Sequence, residues 1–188
     1  DFSRDAAAGH KSLRGMKAFS KVGSIGHSEG GAIAFILGAK GMTDFIVSMA
    51  GPGVKGDTLL VMQQNRVAEL MGITTKTSIA QLRKNEQLLK TPWFRWFIDY
   101  DPSADIKSTR CPVFAINGNR DCQVISLQNL TVIEQLLPKT KMNCVKEYPG
   151  LNHLFQHCST GNTNEYRQIE ETISAEVLSD IAEWIKGL

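Results

Sequence analysis

A serine stands between two glycines in Gly26-His27-Ser28-Glu29-Gly30, the G-x-S-x-G spacing. That spacing suits a nucleophile on a strand-to-helix turn so sharp that the serine backbone is strained, with both glycines lacking a Cβ so that strand and helix approach closely. The hydroxyl then projects above a sheet. The backbone N–H of the next residue, here Glu29, faces the oxyanion that forms when a carbonyl is attacked. Three fixed positions are a weak signal by themselves. The flanks sharpen it: Lys21 to Ile25 reads as a short strand, and Ala32 to Lys40 as an apolar helix stopped by Gly41.

A serine hydroxyl needs a base to take its proton, and the base needs an acid to orient it. Asp121 follows the strand candidate Cys111 to Asn117, and His153 follows the strand candidate Met142 to Tyr148. The chain order Ser28, Asp121, His153 matches the nucleophile–acid–base order of elbow-type hydrolysis. Singly, Asp121 could be a turn former and His153 an ordinary loop histidine. Their joint order and their strand-end positions favour the catalytic roles. The chemistry would be acyl transfer to water through a covalent acyl-serine. Among the other histidines, His10 falls in the first helix and His27 inside the elbow, pointing away from the hydroxyl or flanking it. His157, four residues past His153, is the second candidate base.

Bringing three such residues to one rim requires a parallel sheet, whose ligands gather at the carboxyl ends of its strands. The chain supplies the parts. Residues 1–14 read as a helix, and Phe45 to Met49 as a strand ended by Gly51-Pro52-Gly53. Ser126 to Leu137 reads as a helix closed by Pro138. Ser174 is placed to cap a last helix whose stripe is Val177, Leu178, Ile181, Trp184, Ile185 and Leu188. Residues 57–90 are helical in pattern and interrupt the strand–helix rhythm. Trp93, Phe94, Trp96, Phe97 and Tyr100 follow, and packing between this insertion and the body is the preferred reading of that cluster. The expectation is one α/β domain of about four parallel strands flanked by helices, with a helical cap at about 56–100. With 188 residues, 42% of them hydrophobic, the chain can bury one sizeable core.

Four segments together resemble a group of bacterial α/β-hydrolases: GHSEGG at 26–31, MAGPG at 49–53, NGNRDCQV at 117–124 and PGLNHLFQ at 149–156. These are serine esterases related to the serine aminopeptidase and dienelactone-hydrolase-like groups. The resemblance spans nearly the whole chain. It implies Ser28 as nucleophile, Asp121 as acid, His153 as base and a helical cap over the site. It also implies several strands before Lys21, carrying the loop that gives a second oxyanion N–H. Only 27 residues precede Ser28, too few for that loop. The chain opens at Asp1 without Met, inside a helical stretch, so it reads as the C-terminal part of such a domain. Reduced or no activity is expected of it alone.

Composition narrows the partners. A net charge of +2 with no Lys/Arg run argues against nucleic acid. The longest apolar stretch, Ala32 to Leu37, is too short to span a bilayer. Cys111, Cys122, Cys144 and Cys158 form neither a C-x-x-C pair nor a metal-like spacing with histidine, and read as thiols. The chemistry calls for no metal or organic cofactor. The expected partner is a small-molecule ester, with self-association through the bare edge of the first strand. The compartment stays open. Two rivals remain: a peptidase of the prolyl-aminopeptidase type, and a non-catalytic module of the same fold.

Overall fold

Four parallel strands lie side by side in chain order: β1 (Ser24–His27), β2 (Ile46–Met49), β3 (Val113–Gly118) and β4 (Cys144–Tyr148). The structure is a computed structural model that describes residues 2–188. The helices are α1 (Phe2–Gly15), α2 (Glu29–Ala39), α3 (Gly56–Leu70), α4 (Ile79–Arg83), α5 (Pro92–Asp99), α6 (Ser103–Ser108), α7 (Ser126–Leu136) and α8 (Ala175–Lys186). In the register, Gly26 faces Ser48, Ser48 faces Ala115, and Ala115 faces Val145.

Every residue of β2 and β3 is buried, because helices cover both faces of a parallel sheet. Successive side chains point to opposite faces, so the apolar runs divide into two cores. Val47, Phe114, Ile116 and Tyr148 pack with Val177 and Ile181 of α8. Ile46, Val113 and Ala115 pack on the other face with Phe35 of α2, Ile106 of α6 and Ile133 of α7. Each fully buried Val, Ile or Phe among them contributes about 1.5–3 kcal/mol. With α2, α6 and α7 on one face, the crossovers step one way across the sheet, as right-handed connections require. All strands therefore end on one rim. β1 is one of the two edge strands, and its outer edge has no strand partner among the described residues.

Residues 56–100 hold α3, α4, α5 and a 3-10 turn, and no strand. Arg83 ties them together. Its guanidinium donates to Asp57, to the Ile98 carbonyl and to Asp99. Burial alone would raise the Asp57 carboxyl. Hydrogen bonds from Arg83 and from the Thr58 N–H outweigh it and hold the group below its ordinary range. The aromatic run at 93–97 is helical: Thr91 accepts from the Phe94 N–H at 3.2 Å, and Pro92 opens α5.

Several boundaries differ from the sequence expectation. β1 starts at Ser24 rather than Lys21 and runs to His27, directly against the serine. α2 starts at Glu29 rather than Ala32, because Gly31 N–H already bonds to the Ser28 carbonyl. β4 starts at Cys144 rather than Met142. The six-residue α6 was not anticipated; it is too short to show a helical period. Ser174 occupies the N-cap of α8, yet its side chain makes no capping bond; its N–H donates to the Phe155 carbonyl at 2.8 Å. The expected first helix is present as α1, with Asp1 outside the described residues. All four cysteines are free.

Candidate active site

Ser28 sits between β1 and α2 with φ 56° and ψ −120°. An L side chain rarely adopts this backbone, and holding it stores about 1–3 kcal/mol. Two bonds hold it: Ser28 N–H donates to the Met49 carbonyl at 2.8 Å, and the Ser28 carbonyl accepts from Gly31 N–H at 2.9 Å. Strand and helix meet closely behind the serine. A Cβ at Gly26 would stand 2.0 Å from the Gly30 carbonyl oxygen. Gly30 itself has open space around a Cβ, contrary to the expectation that both motif glycines serve close packing. Gly31 plays that part, since its Cβ would lie 2.7 Å from the Gly51 Cα. Gly26→Ala is thus expected to destabilise the protein by about 3 kcal/mol, the upper end for overpacking, because backbone must move. A urea-unfolding midpoint equal to wild type would contradict this.

The acid and base are joined. His153 Nδ1 lies 2.7 Å from Asp121 Oδ2, with both side chains buried. Asp121 Oδ1 accepts from the Gln123 and Val124 N–H groups at 2.7 and 2.8 Å. A buried carboxylate oxygen needs such donors in place of water. Asn117 holds the loop: its amide donates to the Val124 carbonyl and accepts from Gly118 N–H. The base stands on a tight turn. Asn152 Oδ1 accepts from the Leu154 and Gln156 N–H groups, and Asn152 Nδ2 donates to Gln156 Oε1.

His27 belongs to this cluster in a way the sequence did not reveal. Its Nε2 donates to the His153 carbonyl at 2.8 Å, and the two rings lie 4.6 Å apart. Burial lowers the His27 pKa, which keeps the ring neutral. The residue before the serine thus grips the backbone of the residue joined to Asp121. His27→Phe keeps a ring but removes the donor. A lost hydrogen bond is worth about 0.5–1.5 kcal/mol, so kcat is expected to fall about 2- to 10-fold, with KM little changed. An unchanged kcat would contradict this positioning role.

His157 does not join the cluster. Its side chain is 67% exposed and its Nδ1 pairs with Glu171. His10 bonds to Ser24 Oγ, away from the rim. Among the described residues, the Ser28 hydroxyl and the Glu29 N–H have no hydrogen-bond partner, and His153 Nε2 has none either. Of the two links among Ser28, Asp121 and His153, the acid–base link is closed, and His27, the residue before Ser28, bonds to the His153 carbonyl.

A cavity of about 190 Å³ opens beside Ser28, lined by Glu29, Leu59, Gln63, Trp93, Phe97 and Gln123 among others. Trp93 and Phe97 do more than pack between insertion and body, since they wall this space. Trp93 Nε1 donates to Glu29 Oε1 at 2.7 Å. Among the described residues, no Lys, Arg or His lines the cavity.

A parallel sheet with helices on both faces and a strained strand-to-helix serine turn at its rim fits the α/β-hydrolase fold, and the comparisons agree. No family model matches the chain. It is similar to Esterase EstD of Thermotoga maritima, 25% identical over 193 residues that cover 96% of this chain and 46% of the esterase. The chain therefore spans less than half the length of that relative. Among solved structures, it resembles the Pyrococcus furiosus esterase Pf2001 at TM-score 0.55 and 17% identity, covering 97% of this chain and 60% of that one. It also resembles the Paleococcus ferrophilus monoacylglycerol lipase at TM-score 0.54 and 15% identity, covering 97% and 74%.

Proposed function

We propose that this chain carries the catalytic residues of a serine hydrolase that cleaves carboxylic esters, with Ser28 as nucleophile, His153 as base and Asp121 as acid. The single observation that carries this is the buried Asp121–His153 bond at the rim where the strained Ser28 turn ends β1. Asp121 Oδ1 is occupied by two backbone N–H groups, so Oδ2 accepts from His153 Nδ1–H. That bond leaves Nε2 with a lone pair, the tautomer a base needs. Bonds between nucleophile and base often tighten only around substrate. In the reaction, His153 Nε2 takes the Ser28 proton as Oγ bonds to the ester carbonyl carbon. The Glu29 N–H stabilises the oxyanion. The C–O bond to the alcohol breaks, and His153 returns the proton to the departing alkoxide. Water, deprotonated by His153, then attacks the acyl-serine; the acid leaves and Ser28 regains its proton.

Residues 56–100 act in this reading as a cap that excludes water from the Ser28 cavity. The EstD relative and the esterase and lipase neighbours support the ester class. Hydrolysis of p-nitrophenyl butyrate by the full-length protein tests it. Turnover that saturates with substrate is expected; none in folded protein would contradict the ester assignment.

A further inference from the structure

A second, larger cavity lies beside the first. It measures about 540 Å³ and is walled by Ile33 and Ile36 of α2, by Pro92, Trp93 and Trp96 of α5, and by Phe2 of α1. Glu29 and Trp93 line both cavities. Their side chains are joined by the 2.7 Å bond from Trp93 Nε1 to Glu29 Oε1. The indole is braced from behind, stacked on Phe97 with centroids 5.0 Å apart and planes 16° apart. Phe94 meets its edge at 4.6 Å. A single hydrogen-bonded pair therefore stands between the space at Ser28 and the apolar space beyond.

Resting on the ester reading above, we propose that the Trp93–Glu29 pair is the partition that sets the acyl-chain length of the substrate. The Ser28 cavity is about 190 Å³ and the larger one about 540 Å³. A butyryl group suits the smaller space, and an octanoyl group needs room beyond it. The larger cavity would accept the remainder of a long chain, since its walls are apolar and aromatic, but the partition closes it. Among the described residues, Glu29 is the only charged one lining either cavity, so both suit uncharged chains and repel a carboxylate-bearing acyl group. Trp93 acts here on specificity: its side chain limits how far the acyl group extends from the attacked carbonyl.

The test is the ratio of kcat/KM for p-nitrophenyl octanoate to that for p-nitrophenyl butyrate, in full-length wild type, Trp93→Ala and Trp93→Phe. A ratio measured on one sample is unaffected by partial loss of folded protein. Misplacing even one methylene is worth about 10-fold or more, so the wild-type ratio is expected to lie about tenfold or more below one. Trp93→Ala is expected to raise it about tenfold or more, by joining the two spaces. Trp93→Phe, which loses the donor and keeps most of the bulk, is expected to raise it less. A wild type that takes both esters equally, or a ratio unmoved in both variants while butyrate is turned over, would overturn the partition alone. Failure of folded wild type to hydrolyse any of these esters would overturn the ester reading, and the partition with it.

Discussion

Ser28→Ala is expected to lower ester turnover by about 10⁴-fold or more. Removing a nucleophile that works as a unit with its base abolishes the covalent route, and only oxyanion stabilisation and binding remain. The elbow geometry adds a stability prediction of the opposite sign. Ser28 holds φ 56° against the preference of any L side chain, at about 1–3 kcal/mol. Ser28→Gly abolishes turnover equally but relieves that strain, offset in part by the larger entropy glycine loses on folding, about 0.5–1 kcal/mol. The glycine variant is therefore expected to melt higher than Ser28→Ala, while both are inactive. Calorimetry on the two variants checks this. A glycine variant less stable than the alanine one would contradict the strain, and residual turnover within tenfold of wild type would remove Ser28 from the mechanism.

Asp121→Asn is expected to cost about 10⁴-fold in kcat, with a folded protein. The reason lies in the direction of its hydrogen bonds. Gln123 N–H and Val124 N–H both demand an acceptor at the Oδ1 position. The asparagine carbonyl oxygen must sit there, which turns its NH₂ towards His153 Nδ1. Nδ1 then has to accept, so the ring proton moves to Nε2, and a protonated Nε2 cannot take the Ser28 proton. The steady-state rate of p-nitrophenyl butyrate hydrolysis, with far-UV circular dichroism as the folding control, checks this. A loss smaller than about tenfold would show that Asp121 does not set the tautomer.

Much of this arrangement was legible in the chain. β2 and β3 announce themselves as short apolar runs closed by Gly51-Pro52-Gly53 and by Gly118. Ser28, Asp121 and His153 could be placed at strand ends because a parallel sheet sends every strand end to one rim. Other features were hidden because they depend on contacts between distant positions. The bond from His27 to the His153 carbonyl spans 126 residues, and no local pattern marks it. The Trp93–Glu29 bond spans 64 residues, so the aromatic run read as ordinary packing. Gly30 shows the converse: a motif position suggested tight packing, and the contact falls one residue later at Gly31. The start of β1 differs because Val22 is apolar and buried like a strand residue but bonds to Asp44, and only the register with β2 reveals that the ladder begins at Ser24.

Covalent labelling of the folded, full-length protein by a fluorophosphonate, with the modified residue located by peptide mass spectrometry, is the most direct measurement of all. The expected result is one adduct on Ser28 Oγ, absent in Ser28→Ala and at least about 100-fold slower in His153→Ala. An adduct on another residue, or a folded protein that takes no label, would contradict the assignment of Ser28, His153 and Asp121 as a working catalytic set.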